Sequence, residues 1–272
     1  MNILLTNDDG IHAPGIAALH KSLTSESNPQ GPLGQVFTVA PSSTQSATSH
    51  GITYHIPLMV ENTTINNQPA LAVEGRPADC TKLALTNLYP DHFGPNTKPD
   101  LVISGMNSGA NCGINVIYSG TVAAAIEAAF IGVPAIAVSL HMDSQNNNPI
   151  PDWDKAAQTA RKTIDTLLKN GLPNTHEVLS INIPATQYLN DQTKTIVCPM
   201  NTHALVDQYE KRSTPKGAPY YWSTAHGLTF HSTDINTDVY ELFQRNITIT
   251  PLTYDLTNHQ RLNHWKNTLK NQ

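Results

Sequence analysis

A series of short runs in the first two-thirds of the chain is apolar on consecutive residues instead of alternate ones. They are Asn2 to Thr6 (NILLT), Gln35 to Ala40 (QVFTVA), Asp100 to Ser104 (DLVIS), Pro134 to Leu140 (PAIAVSL) and Val178 to Ile183 (VLSINI). A strand of that kind is buried on both faces, which an antiparallel sheet with one wet face does not require. Between the runs lie helical stretches at Pro14 to Leu23, Asp79 to Leu88, Thr121 to Phe130 and Trp153 to Lys169. The Asp79 stretch is expected to be capped by Asp79 itself or by residues just before it. Strands buried on both sides and separated by helices predict a mainly parallel sheet in a three-layer α/β fold.

Beyond Pro184 the pattern loosens. Short β-like runs, Tyr220-Tyr221-Trp222 and Ile247 to Thr250, alternate with polar loops containing proline. They read as extended arms or hairpins without a core of their own. The polar stretch Met142 to Asp152 reads as a surface loop, and no internal repeat is present.

Two hundred and seventy-two residues can bury a full core without a disulfide or metal staple. Sixteen Lys and Arg against 21 Asp and Glu leave a charge of −5, so the chain lacks the basic face that stable nucleic-acid binding needs. Hydrophobic residues make up 39 % and are spread throughout, which excludes disorder for most of the chain. No run approaches the roughly 18 apolar residues of a membrane span. The first residues have no basic region followed by an apolar one, so no signal peptide is expected. Cys80, Cys112 and Cys198 are widely spaced with no CxxC, the pattern of reduced thiols in a cytoplasmic protein.

Ligands of open α/β sheets bind beyond the carboxyl ends of the strands, and three such ends are polar here. The first, Thr6-Asn7-Asp8-Asp9-Gly10, sets two adjacent carboxylates after a buried strand. Such a pair repels itself unless a cation compensates, and oxygen ligands favour hard divalent ions. The same residues also suit a plainer role, with Asp8 or Asp9 capping the next helix. The second end, Pro41 to Gly51, is a run of hydroxyls that includes Ser46 and ends near His50. The third, Ser104-Gly105-Met106-Asn107-Ser108-Gly109-Ala110-Asn111-Cys112-Gly113, has glycines that let backbone N–H groups approach an anion. Further on, Ser119-Gly120-Thr121 opens the Ala-rich helix with hydroxyls, free N–H groups and the positive dipole end. A simple N-cap by Ser119 fits equally well. A dinegative corner beside an anion site is a layout for metal-assisted phosphoryl transfer.

Other signatures are missing. The glycine spacing is neither GxGxxG nor a Walker loop, there is no GxSxG elbow, and the 12 histidines include no HExxH. His50 is placed either to touch a ligand or to serve as a structural histidine. Tyr220, Tyr221 and Trp222 suit packing more than base stacking. A signalling receiver module also pairs acids after its first strand, but it ends its third strand in a lone Asp, where this chain has Ser104-Gly105-Met106-Asn107.

The ordered motifs resemble one family closely, the SurE stationary-phase survival proteins, which are metal-dependent 5′/3′-nucleotidases. The matching stretches are ILLTNDDGIHAPGI, VAPSSTQSATSHGIT, GRPADCTKLAL from Gly75, and DLVISGMNSGANCGINVIYSGTVAAAIEAAFIGVPAIAVSL. INIP at Ile181, PYYW at Pro219, TD at Thr237 and ITITPL at Ile247 follow in order. The resemblance implies a Rossmann-like catalytic core over residues 1–184. It also implies a C-terminal extension over 185–272, with oligomerisation arms and a terminal helix, in a homodimer or homotetramer. It carries one divalent metal ion per subunit, Mg²⁺ or Mn²⁺, onto Asp8, Asp9, Ser46 and Asn107, and turns Ser119-Gly120-Thr121 toward the phosphate. Asp8, Asp9 and Asn107 are then the catalytic residues, and the implied substrate is a nucleoside monophosphate. The chain departs from the family pattern at Asn115, where Asp is usual. It also departs at Ser43, Thr44 and Gln45, which replace basic residues, and at Ser213-Thr214-Pro215-Lys216-Gly217. None of these removes a metal ligand; the lost positive charge bears on phosphate affinity and substrate preference.

Overall fold

In the computed structural model, which describes residues 1–143, 150–174, 176–224 and 227–270, strand β1 (Asn2–Thr6) is buried on both faces. Ile3 and Leu5 point into one apolar cluster and Leu4 into another, each with no exposed surface. Each such side chain contributes about 1.5–3 kcal/mol by leaving water, and two faces to bury explain why the run is apolar throughout.

The remaining strands are β2 (Gln35–Pro41), β3 (Val60–Ile65), β4 (Gln68–Val73), β5 (Leu101–Ser108), β6 (Ala135–Leu140) and β7 (Glu177–Ile183). After them come β8 (Thr195–Val197), β9 (Tyr209–Ser213), β10 (Pro219–Ser223) and β11 (Ile247–Thr253). The helices are α1 (Pro14–Thr24), α2 (Pro77–Leu83), α3 (Tyr89–Phe93), α4 (Gly120–Phe130), α5 (Trp153–Leu168), α6 (Asp238–Phe243) and α7 (His259–Lys270). The main sheet has the order β3-β4-β2-β1-β5-β6-β7-β11-β8. From β4 to β7 its strands are parallel, with α1 and α5 on one face and α2 and α4 on the other. The three-layer α/β architecture is therefore the one the apolar runs predict. The chain winds outward from β1 through β2 and then returns to β5 on the opposite side. The gap between the carboxyl ends of β1 and β5 is thus the topological switch point, where such sheets bind ligands.

Several elements differ from the sequence reading. The third strand runs past Ser104 to Ser108, with a register shift between Ser104 and Asn107. Gly105 permits this: a Cβ there would lie 2.4 Å from the Val138 carbonyl oxygen on β6. The helix expected from Asp79 begins at Pro77, whose fixed φ suits a first helical position. Asp79 lies inside the first turn, where it accepts N–H bonds from Arg76 at 3.0 Å and Thr53 at 2.8 Å. A π-helical turn, Ala84–Leu88, then leads into α3. The β3–β4 hairpin was not expected; it turns on Asn66 and Asn67, both at positive φ.

After residue 184 the chain divides its roles. Strand β11 pairs antiparallel with β7 and carries β8 on its far side, extending the main sheet. Strands β9 and β10 form a separate ribbon with Tyr209, Tyr221 and Trp222 exposed, and α7 buries none of its residues. Of the polar stretch Met142 to Asp152, residues 144–149 lie outside the described residues. Among the described residues no helix is long and apolar enough to cross a membrane.

Candidate active site

Strand β1 delivers Thr6, Asn7 and Asp8 into the switch point almost wholly buried. Asn7 Nδ2 donates to the Gly10 carbonyl at 2.9 Å and closes the turn, with Gly10 at φ +99°. Helix α1 has Ala13 as its N-cap and no side-chain cap. The two carboxylates are therefore not caps of the next helix.

Asp8 turns instead toward the start of α4. Its Oδ1 accepts from the Thr121 hydroxyl at 2.5 Å, and its Oδ2 from the Thr121 N–H at 3.2 Å. Asp9 Oδ2 accepts from the Ser108 N–H at 2.7 Å, at the end of β5. The adjacent acids are thus tied to different elements on either side of the switch point. Burial pushes the Asp8 carboxyl up to about 6, against the Thr121 hydroxyl and with help from the neighbouring Asp9 charge. Burial also raises Asp9, against the Ser108 N–H. Both acids therefore sit where a negative charge lacks compensation. An oxygen-ligated divalent cation is the group that would supply it, so the donor set fits a hard metal ion. Among the described residues there is no cluster of three or more His, Cys, Asp or Glu suited to hold a metal.

A cleft of about 1030 Å³ opens here, and Asp8, Asp9, Ser46, Asn107 and Ser119 all line it. Asn107 arrives on the extended end of β5, with its Nδ2 donating to the Gly109 carbonyl at 2.6 Å. Ser46 sits on the hydroxyl loop, which is stitched to the acidic turn: Gln45 N–H donates to the Asp8 carbonyl at 2.7 Å and the Thr44 hydroxyl to the Asp9 carbonyl at 3.0 Å.

At the glycine-rich third strand end, several N–H groups are already taken within the chain. Ser108 N–H goes to Asp9, Gly109 N–H to the Leu140 carbonyl, and Gly113 N–H to Asp238. At α4, Ser119 both lines the cleft and caps the helix by accepting from the Val122 N–H at 3.0 Å. Gly120 packs against Asp8 so closely that a Cβ would lie 2.9 Å from the Asp8 Cβ. Thr121 is fully buried, with both its hydroxyl and its N–H on Asp8. The positive end of α4 therefore faces a carboxylate of the chain itself.

His50 lies off the cleft, paired with Glu127 of α4 at 2.7 Å. Tyr220 to Trp222 lie on the β9–β10 ribbon. Asn115 lines the cleft and donates to the Gly227 carbonyl. Sequence reasoning missed the far wall. There Arg245 lies 4.0 Å over the Tyr188 ring, and the Tyr188 hydroxyl donates to Asp143 at 2.6 Å. Asn111, also in the cleft, exchanges hydrogen bonds with Asn182, the polar end of β7. That strand end was legible in the sequence by the same rule as the other three. A second cleft of about 510 Å³ shares Asp9 and Ser108 and is walled by His12 and Trp153.

The fold and site together define a doubly wound α/β protein with two adjacent carboxylates beside a helix N-terminus at its switch point. Residues 3–207 match the family described as survival protein SurE. The chain is 42 % identical over 267 residues to 5′-nucleotidase SurE of Rhodopirellula baltica, covering 98 % of both chains. It is 38 % identical over 272 residues to 5′-nucleotidase SurE of Carboxydothermus hydrogenoformans, covering 99 % of this chain and 97 % of that one. The crystal structure of SurE protein from Aquifex aeolicus superposes with a TM-score of 0.78 at 31 % identity, over 99 % of this chain and 100 % of that one. The chain belongs to the SurE family.

Proposed function

We propose that the chain is a metal-dependent phosphomonoesterase that hydrolyses nucleoside 5′-monophosphates, and 3′-monophosphates, to nucleoside and phosphate. The observation that carries this reading is the pair Asp8 and Asp9, the first buried and the second half-buried side by side at the switch point with both carboxyls raised, in one cleft with Ser46 and Asn107. The names of the full-length relatives support the same reaction. Asp8, Asp9, Ser46 and Asn107 hold one divalent ion per subunit, Mg²⁺ or Mn²⁺. When bound, such an ion supplies Lewis-acid polarisation of the phosphate and acidifies water.

The chain's own groups do the rest. Asp8 gives both oxygens to Thr121, whereas Asp9 gives only Oδ2 to Ser108. Asp9 Oδ1 is then the atom assigned to orient the attacking water. Ser119 and the Gly120 backbone hold phosphoryl oxygens at the helix start as charge builds. Thr121 acts through Asp8, fixing the carboxylate that it bonds. Exposed aromatics on the β9–β10 ribbon and the uncovered α7 support a homodimer or homotetramer. Three buried free thiols support a cytoplasmic setting.

The test is phosphate release from nucleoside monophosphates by purified protein. Release that stops in EDTA and returns with Mg²⁺ or Mn²⁺ supports the reading. Full activity of metal-free protein overturns the metal dependence, and no release with either metal overturns the reaction.

A further inference from the structure

We propose that the His50–Glu127 hydrogen bond is the clamp that sets the position of Ser46, which makes His50 a positioning residue of the metal site. The inference rests on Ser46 being a ligand, as proposed above.

Ser46 is exposed on a loop without regular structure, followed by Ala47 at φ 55° and Ser49 at φ 53°. Side chains other than glycine occupy that region at a cost, so the loop holds its shape only where outside contacts fix it. Upstream of Ser46 the contacts run to the acidic turn, through Thr44 and Gln45. Downstream they run to the segment before α4 and then to α4 itself. Ser49 N–H donates to the Tyr118 carbonyl at 3.1 Å and the Ser49 hydroxyl to the Ile117 carbonyl at 2.8 Å. His50 Nε2 then meets Glu127 Oε2 at 2.7 Å, with its ring stacked on Phe130 at 5.3 Å.

Glu127 is suited to be the anchor. Its side chain is 3 % exposed and its second oxygen takes Lys82 at 2.8 Å. Burial pushes its carboxyl up, but the bonds from His50 and Lys82 bring it below its ordinary value, so it stays charged. Glu127 is thus held from two sides, by His50 on the loop and by Lys82 on α2. Helix α4 therefore grips both ligands: its first turn holds Asp8 through Thr121, and its later turn holds the Ser46 loop through Glu127. One rigid element sets the spacing of two donors that are 38 residues apart in the chain.

The experiment compares His50→Ala, His50→Gln and Lys82→Met. Lys82 reaches the same carboxylate from α2 and carries no part of the loop, so it controls for the loss of a partner of Glu127 alone. Calorimetric titration with Mn²⁺ is expected to show about tenfold weaker binding in His50→Ala, recovery in His50→Gln, which keeps a donor for Glu127, and a change under twofold in Lys82→Met. Amide hydrogen exchange of the metal-free proteins is expected to rise over residues 42–51 in His50→Ala alone. Unchanged Mn²⁺ affinity together with unchanged loop exchange in His50→Ala overturns the proposal, as does an equal loss in Lys82→Met. A Ser46→Ala protein that binds Mn²⁺ like the wild type overturns the ligand assignment instead. Loop exchange in metal-free His50→Ala then still confirms or refutes the clamp.

Discussion

Replacing Asp8 by Asn should stabilise the metal-free protein while destroying its function. Asp8 must ionise at neutral pH in a site that favours its neutral form, and its carboxyl stands at about 6 against an ordinary 3.8. At about 1.4 kcal/mol per pH unit, that displacement corresponds to about 3 kcal/mol of lost stability once the group is charged. Asn keeps an oxygen for the Thr121 hydroxyl but cannot accept the Thr121 N–H, now at 3.2 Å. The lost bond costs about 1 kcal/mol, leaving a net gain of about 2 kcal/mol for Asp8→Asn. In a chain of this size that is a rise of about 4–8 °C in thermal midpoint.

The pH dependence fixes the sign. A carboxyl raised in the fold favours folding fully below its unfolded value and loses that advantage as pH rises through the folded value. The gap between Asp8→Asn and wild type should therefore be small near pH 4, open up to about pH 6 and stay constant above. Thermal melts in EDTA at pH 4, 5, 6 and 8 measure it, and saturating Mn²⁺ at pH 8 should reverse the order. Equal midpoints at pH 8 without metal, or a gap of the same size at pH 4, would refute the reasoning.

Asn107→Ala should leave the fold intact, because the side chain's bond to Gly109 is local, yet lower turnover by orders of magnitude; near-normal turnover and metal affinity would remove the end of β5 from the site. Thr121→Val deletes the hydroxyl that holds Asp8, so kcat/KM should fall by about 10- to 200-fold, the usual worth of one hydrogen bond to a charged group, and metal affinity should fall with it. Ser119→Ala should act more on phosphate inhibition than on metal binding, so opposite effects in these two variants would interchange their roles. Light scattering at micromolar concentration should give at least twice the mass of one chain, and a monomer would leave the exposed ribbon and α7 without an explanation.

The sequence by itself determined the layered sheet and the strand end that carries the acidic pair. Ile3, Leu4 and Leu5 have two faces to bury, and that local pattern survives in the fold because hydrophobic periodicity depends only on neighbouring residues. The Asp8-Asp9 pair and Asn107 were legible for a related reason: polar residues interrupting buried strands mark the strands' carboxyl ends. The β3–β4 hairpin carried a readable turn at Asn66-Asn67, but its edge strand β3 lacks a continuous apolar run to announce it. Tertiary structure alone decided the remainder. Whether Thr121 faces the cleft or Asp8 depends on how α4 docks against β1, 113 residues away in sequence. His50 found Glu127 across 77 residues, and β11 returned from the loosely patterned extension to pair with β7. Local propensity cannot express such choices, because the partner that lowers the free energy of each group is set by packing between elements distant along the chain.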